Sequence, residues 1–303
     1  MSLINTANPG SQIDLMSIAY RVLNRAGSPM KEERLIELCR PETLPLKDDQ
    51  RWRFPKELEF WSDPAHQLWV KDHADAYSLV HPFAGGDPTP MEIADVVRSL
   101  LMETDIPTVF DPRHDADGVA KLMTILSCAL AVPDFDPFGA KEINKDNLAA
   151  LQRRYLPADS HLNTSNELSE AIAYGHFLGF FEPAEAGGHV ADPTEATGRV
   201  LKDEFEPGQD VGIRDFLAAL AQRLPVLDGG RFRQEVEEKM QERGFRQFSK
   251  DRLSRTMSHA LYRLRIAGVI RLEELSDDPH QLSFELPMGE KKFSRVRLLA
   301  TGG

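Results

Sequence analysis

The sequence predicts a mainly α chain with small β-wings, an α+β class, and three observations predict it. Apolar residues recur at helical spacing through most of the chain. Several of these stretches are followed by pairs of short alternating runs joined by polar turns. Clusters of Gly and Pro cut the chain into pieces short enough for small helical units. Helices closed by a two-stranded hairpin outline a winged helix, so the pattern reads as tandem winged helix-turn-helix domains. A length of 303 residues fits two or three domains at roughly 100–200 residues each. The boundaries read as 1–83 for an N-terminal winged-helix domain, 84–206 for a central helical, degenerate one, and 207–303 for a C-terminal one.

In the first domain Ile13, Met16, Ala19, Val22 and Leu23 form a helix face, and Gly27 stands where the helix would stop. Ser28-Pro29 restarts a helix with Leu35, Ile36 and Leu38, ended by Pro41 and Pro45. A third helix is expected over 48–61, interrupted by Pro55, with Phe54, Phe60 and Trp61, together with Trp52, as core or interface residues. Two strand-like runs, 67–71 and 76–80, follow across a polar turn. This unit carries Lys47, Arg51, Arg53 and Lys56 among acids, so a protein-contact role is expected of it.

The segment 83–90 reads as a linker. Helices are then expected over 91–102, 117–131, 147–155 and 167–178, with Phe181 and His189-Val190 in a compact hairpin across Gly187-Gly188. Asp192-Pro193-Thr194 starts a helix that runs to Phe205. Segment 206–210 is a turn, and Ile213, Phe216, Leu217, Leu220 and Leu224 mark the next helix. A charged amphipathic helix over 231–241 follows the break at Gly229-Gly230.

The last segment is the sharpest. Ser249 offers a capping oxygen ahead of a helix over 250–267, in which Leu253, Met257, Ala260, Leu261 and Leu264 share one face and Gly268 ends the helix. Strands over 269–273, 281–286 and 293–299 then make a β-meander. Removing the core face leaves Lys250, Arg252, Arg255, Ser258, His259, Arg263 and Arg265 on the outside. In helix-turn-helix proteins the second helix of the motif lies in the major groove, and Arg suits a guanine edge or a phosphate. Lys291 and Lys292, expected at a hairpin tip, and Arg295 beyond it would add charge as a wing does. These residues are the candidate nucleic-acid contacts. The bland alternative is a basic face that pairs with the acidic remainder of the chain.

Composition bounds this reading. The formal net charge of -12 excludes a protein coated in basic surface, though not a local basic face. No stretch approaches the roughly 20 apolar residues of a membrane span, so no membrane partner is expected. The start of the chain has no basic segment followed by an apolar run, and the expected location is the cytoplasm. Cys39 and Cys128 sit in apolar helical patterns and read as buried thiols.

Catalytic signals are weak. Asp111, His114, Asp115 and Asp117 could ligate a metal, but such a spacing is common by chance and also suits a polar loop ahead of a helix. His176, inside an apolar run, reads as a half-buried histidine. Neither a phosphate-binding loop nor a dinucleotide fingerprint occurs, nor a nucleophile elbow. No enzyme, cofactor or metal site is expected.

Four stretches carry a resemblance: Gly175-His-Phe-Leu-Gly179, Ala191-Asp-Pro-Thr194, 224–231 and 261–270. They resemble the DpdG-type winged-helix proteins of bacterial DNA-modification and phage-defence loci, those that place deazapurines in DNA. The resemblance implies a non-catalytic accessory subunit of a restriction-like system. Its partners would be other subunits, an ATPase, helicase or nuclease, together with double-stranded DNA. A winged-helix transcriptional regulator is the alternative, and a metal-dependent enzyme the second alternative.

Overall fold

The computed structural model describes residues 2–4, 12–39, 53–111, 118–185, 187–247, 249–275 and 278–300. Among them eleven α-helices alternate with small antiparallel sheets in a mixed α/β architecture. The buried apolar side chains, from Leu3 to Val296 and Leu298, form one continuous cluster. The expected segment 40–52, His114, Asp115 and Asp117 lie outside the described residues.

The chain repeats one order of elements. First come α1 (Ile13–Ala26), β1 (Met30–Lys31), α2 (Glu32–Cys39), α3 (Arg53–Phe60), β2 (Trp69–Lys71) and β3 (Ala76–Leu79). Their sheet runs β1-β3-β2, so the short strand after the first helix pairs with the last strand of the hairpin. Gly27 ends α1 in the left-handed conformation at φ 60, as a helix stop requires. Ser28-Pro29 does not restart a helix directly: β1 intervenes, held by its pairing with Tyr77 and Ala76. Phe54, Phe60 and Trp61 are buried, as expected.

After the 83–90 linker, Thr89 closes a capping box with Glu92 on α4 (Pro90–Glu103). The order then recurs in α5 (Val119–Ala131), Ile143, α6 (Lys145–Tyr155), α7 (Glu167–Phe177), β4 (Phe181–Pro183) and β5 (His189–Ala191). Ile143 bridges His189 antiparallel, which gives the lateral order Ile143, β5, β4. Almost every residue of α5 is buried, so this helix lies at the centre of the molecule.

The third occurrence is α8 (Thr194–Glu204), β6 (Asp210–Gly212), α9 (Ile213–Arg223), α11 (Arg255–Ile266), β7 (Ile270–Glu273) and β10 (Arg295–Leu298), with sheet order β6-β10-β7. Two insertions enlarge it. One is α10 (Arg231–Gln241), which packs along α5. The other is the hairpin of β8 (Leu282–Leu286) and β9 (Gly289–Phe293). The expected meander is therefore corrected: β7 pairs with β10, and β8–β9 form a sheet of their own. β6 was expected as part of a turn; its pairing with β10 creates it.

Both cysteines are buried and free, and burial pushes the Cys39 thiol up to about 12. No described helix is long and apolar enough to cross a membrane.

Candidate nucleic-acid interface

The helix expected to start at Lys250 starts at Arg255, and its cap is Ser254, not Ser249. The reason lies outside the helix. The Leu253 N–H donates to Ser283 O at 3.0 Å and the Ser283 N–H to Asp251 O at 2.8 Å, so this stretch runs extended beside β8. Ser254 then accepts from the Met257 N–H at 3.2 Å, while its own hydroxyl and N–H donate to Asp228 at 2.8 and 2.7 Å. Lys250 and Arg252 consequently precede the helix. Arg252 donates to Glu290 at 2.7 Å on β9, and Glu285 stands 3.8 Å away.

The face of α11 expected to meet solvent meets the central unit. Arg255 Nε lies 2.9 Å from Asp136, whose side chain is fully buried in the loop after α5. Arg263 pairs with Glu182 of β4 at 2.8 Å and with the buried carboxylate of Asp192. Ser258 and His259, expected outside, are 0 % and 3 % exposed. The Ser258 hydroxyl accepts from the Glu285 N–H at 3.2 Å. The His259 ring packs edge-on to Phe138 with centroids 4.7 Å apart, and its Nδ1 is 4.0 Å from Asp136.

Electrostatics follow burial. Burial raises the Asp136 carboxyl, outweighing Arg255 beside it, and burial lowers the His259 imidazole. The α11 network is thus a partly desolvated junction between two units, not a solvated basic face. Arg295 donates to Asp210 at 2.8 Å across the β6–β10 pair, which holds that carboxyl below its ordinary range.

Four of the expected or neighbouring cations remain outside these pairs. Among the described residues Lys250, Arg265, Lys291 and Lys292 are exposed and make no ion pair. Arg265, Lys291 and Lys292 come together around one depression that Leu272, Phe293, Glu274 and Glu290 also line. Arg265 lies over the Phe293 ring, 5.7 Å from its centroid. Lys291 and Lys292 lie along β9; the exposed turn is Pro287-Met288, so the expected hairpin tip is displaced by a few residues.

A comparison with family models matches residues 1–278 to the family described as DpdG-like. The chain belongs to the DpdG-like family. The match spans the first two repeats of the element order and the third as far as β7, and agrees with a protein of DNA-modification loci. Comparisons with curated proteins and with solved structures found no match.

The other expected sites fare differently. His176 is exposed rather than half-buried, with Nδ1 3.1 Å from Phe181 O. Among the described residues no three His, Cys, Asp or Glu side chains gather as metal ligands do. Sequence reasoning missed the acids that occupy α11. Asp136, Glu182 and Asp192 sit in loops and a strand of another unit, and the one local signal was Asp192 ahead of Pro193 at a helix start.

Proposed function

We propose that this chain is a non-catalytic accessory subunit of a bacterial DNA-modification, restriction or phage-defence system. It binds partner proteins and double-stranded DNA through tandem winged helices. DpdG-like membership supports the setting. The recurring element order supports the winged helices: three times, the short strand after the first helix pairs beside the last strand of a hairpin. That is the strand order of a winged helix.

The observation that carries the division of labour is the occupation of α11 by Asp136, Glu182 and Asp192. In a helix-turn-helix reader this helix is free to enter the major groove. Here Arg255 and Arg263 are committed to the adjoining unit, which weighs against a transcriptional regulator reading DNA with that face of α11. Phosphate contact falls instead to the outer hairpin side, where Arg265, Lys291 and Lys292 cluster without ion pairs among the described residues. Such contacts position a protein on DNA without specifying sequence. Sequence choice would then belong to the assembly.

The test is fluorescence anisotropy of a labelled duplex over a salt series. Lys291→Glu with Lys292→Glu weakens binding and lowers the slope of log affinity against log salt by about 2, since each phosphate contact contributes about 0.9. Arg263→Ala leaves the slope unchanged. Unchanged binding in the lysine double variant refutes the hairpin assignment.

A further inference from the structure

A groove of about 740 Å³ opens where α1, α4, α7 and the start of α8 meet. Its sides combine apolar side chains with several carboxylates. Ile13, Met91 and Phe177 supply the apolar part, and Met91 is 43 % exposed. Asp14, Glu170 and Glu195 supply three carboxylates, of which Glu195 is already paired with Arg199 at 2.9 Å. Arg98 also lines the groove, but its guanidinium is buried and committed to Leu178 O at 3.0 Å and Asp95 at 2.5 Å. His176 completes the polar rim, with Nδ1 turned to Phe181 O.

Glu170 is the informative residue. It is half-buried, and its side chain makes no hydrogen bond or ion pair among the described residues. Burial raises its carboxyl, and no cation among the described residues pairs with it to offset that. A carboxylate held out of water without a partner is costly, and a cation supplied from outside would offset the cost. Glu170, Ala173 and Phe177 lie at three- and four-residue spacing on α7, so they present one face to the groove. α7 holds the same place in the central unit as α11 in the third. A DNA-reading helix would carry cations on its outer face, whereas this one carries a carboxylate, which repels phosphate.

We propose that this groove receives a cationic amphipathic segment of a partner protein, its Lys or Arg on Glu170 and its aliphatic side chains on Ile13, Met91 and Phe177. Charge complementarity and the apolar walls select that occupant over nucleic acid. The inference deepens the partner-binding half of the proposed function and rests on that reading only in taking the occupant to be another protein.

The test uses the full chain and a labelled helical peptide with Leu along one face and Lys along the other. The peptide binds saturably. Glu170→Gln weakens it about ten-fold, the loss of one charge-assisted contact. Ala173→Trp, at an exposed position, fills the groove and removes saturable binding while circular dichroism stays native. A control peptide with Ser for Leu and the same charge binds far more weakly. Lys291→Glu with Lys292→Glu leaves peptide affinity unchanged, so failure of the DNA assignment and failure of the groove assignment are separate results. Equal peptide affinity in Glu170→Gln and Ala173→Trp would overturn the proposal, as would equal binding of the Ser control. A dimer in sedimentation that Ala173→Trp breaks, with no peptide bound, would overturn it in favour of a second copy of the chain.

Discussion

Asp136→Ala tests the junction between the second and third units. The native carboxylate is fully buried, pairs with Arg255 at 2.9 Å and accepts from the Phe138 N–H at 2.8 Å. Removing one partner of a buried ion pair costs about 3–5 kcal/mol. Two features reduce that here: the Arg255 side chain is 28 % exposed, and Glu285 remains 3.9 Å away. The lost acceptor for Phe138 adds about 1 kcal/mol. The net expectation is a destabilisation of about 3 kcal/mol. At about 2 °C per kcal/mol for a chain of this length, the thermal midpoint falls by about 6 °C. Asp136→Asn keeps an acceptor for Phe138 and loses about half as much. Calorimetry and urea unfolding on both variants and on Arg255→Ala complete a double-mutant cycle, with a coupling of about 1–2 kcal/mol. A midpoint unchanged in Asp136→Ala, or a coupling near zero, would refute the claim that these charges hold α11 to the central unit.

Further outcomes follow from the same geometry. His259 titrates below its ordinary 6.5 because it is buried, and His189 is lowered by burial and by His176. The unfolded chain then binds more protons, so stability is full above pH 6.5 and is lost as pH falls through the lowered folded values. The raised Asp136 and Glu170 carboxyls act in the opposite sense, so the readout is the midpoint difference between His259→Gln and the parent chain from pH 7.5 to 5.5: the substitution should reduce the acid-dependent loss, and a difference that does not change with pH contradicts the assignment. Ser254→Ala removes the α11 cap and one partner of Asp228, for a loss of about 1–2 kcal/mol in urea unfolding. Gly230→Ala would place a Cβ 2.3 Å from Pro225 O, so it should cost several °C in midpoint or prevent folding. Glu170→Leu relieves an unpartnered half-buried carboxylate and should raise the midpoint by about 1–2 °C.

Much of the fold was legible because it is local. α8 begins at Thr194, within the expected Asp192-Pro193-Thr194 start, and α9 follows the face that Ile213, Phe216 and Leu220 define. Two of the shortest strands were not legible. β1 and β6 have two and three residues, too few for any alternation, and they exist because β3 and β10 supply partners. Ser249 and Ser254 offer the same capping chemistry; Ser283 on β8 decides between them by holding the Leu253 N–H.

The candidate site was legible as a set of charges and illegible as a surface. Arg255 and Asp136 are 119 positions apart, and no local pattern says that one will cover the other. The bland alternative, a basic face answered by the acidic remainder of the chain, describes Arg255 and Arg263. The grouping of Arg265 with Lys291 and Lys292 depends on the β8–β9 hairpin lying beside α11, which sequence spacing does not disclose.

In the proposed function α11 joins units while the outer hairpin side meets DNA. Photo-crosslinking reads this most directly. Benzoylphenylalanine is placed singly at Arg265, Lys292 and His176, and each protein is irradiated with a labelled duplex at low salt. DNA adducts are expected from positions 265 and 292 and none from position 176. Adducts from position 176, or none from 265 and 292 in a protein that still binds the duplex, would contradict that division of roles.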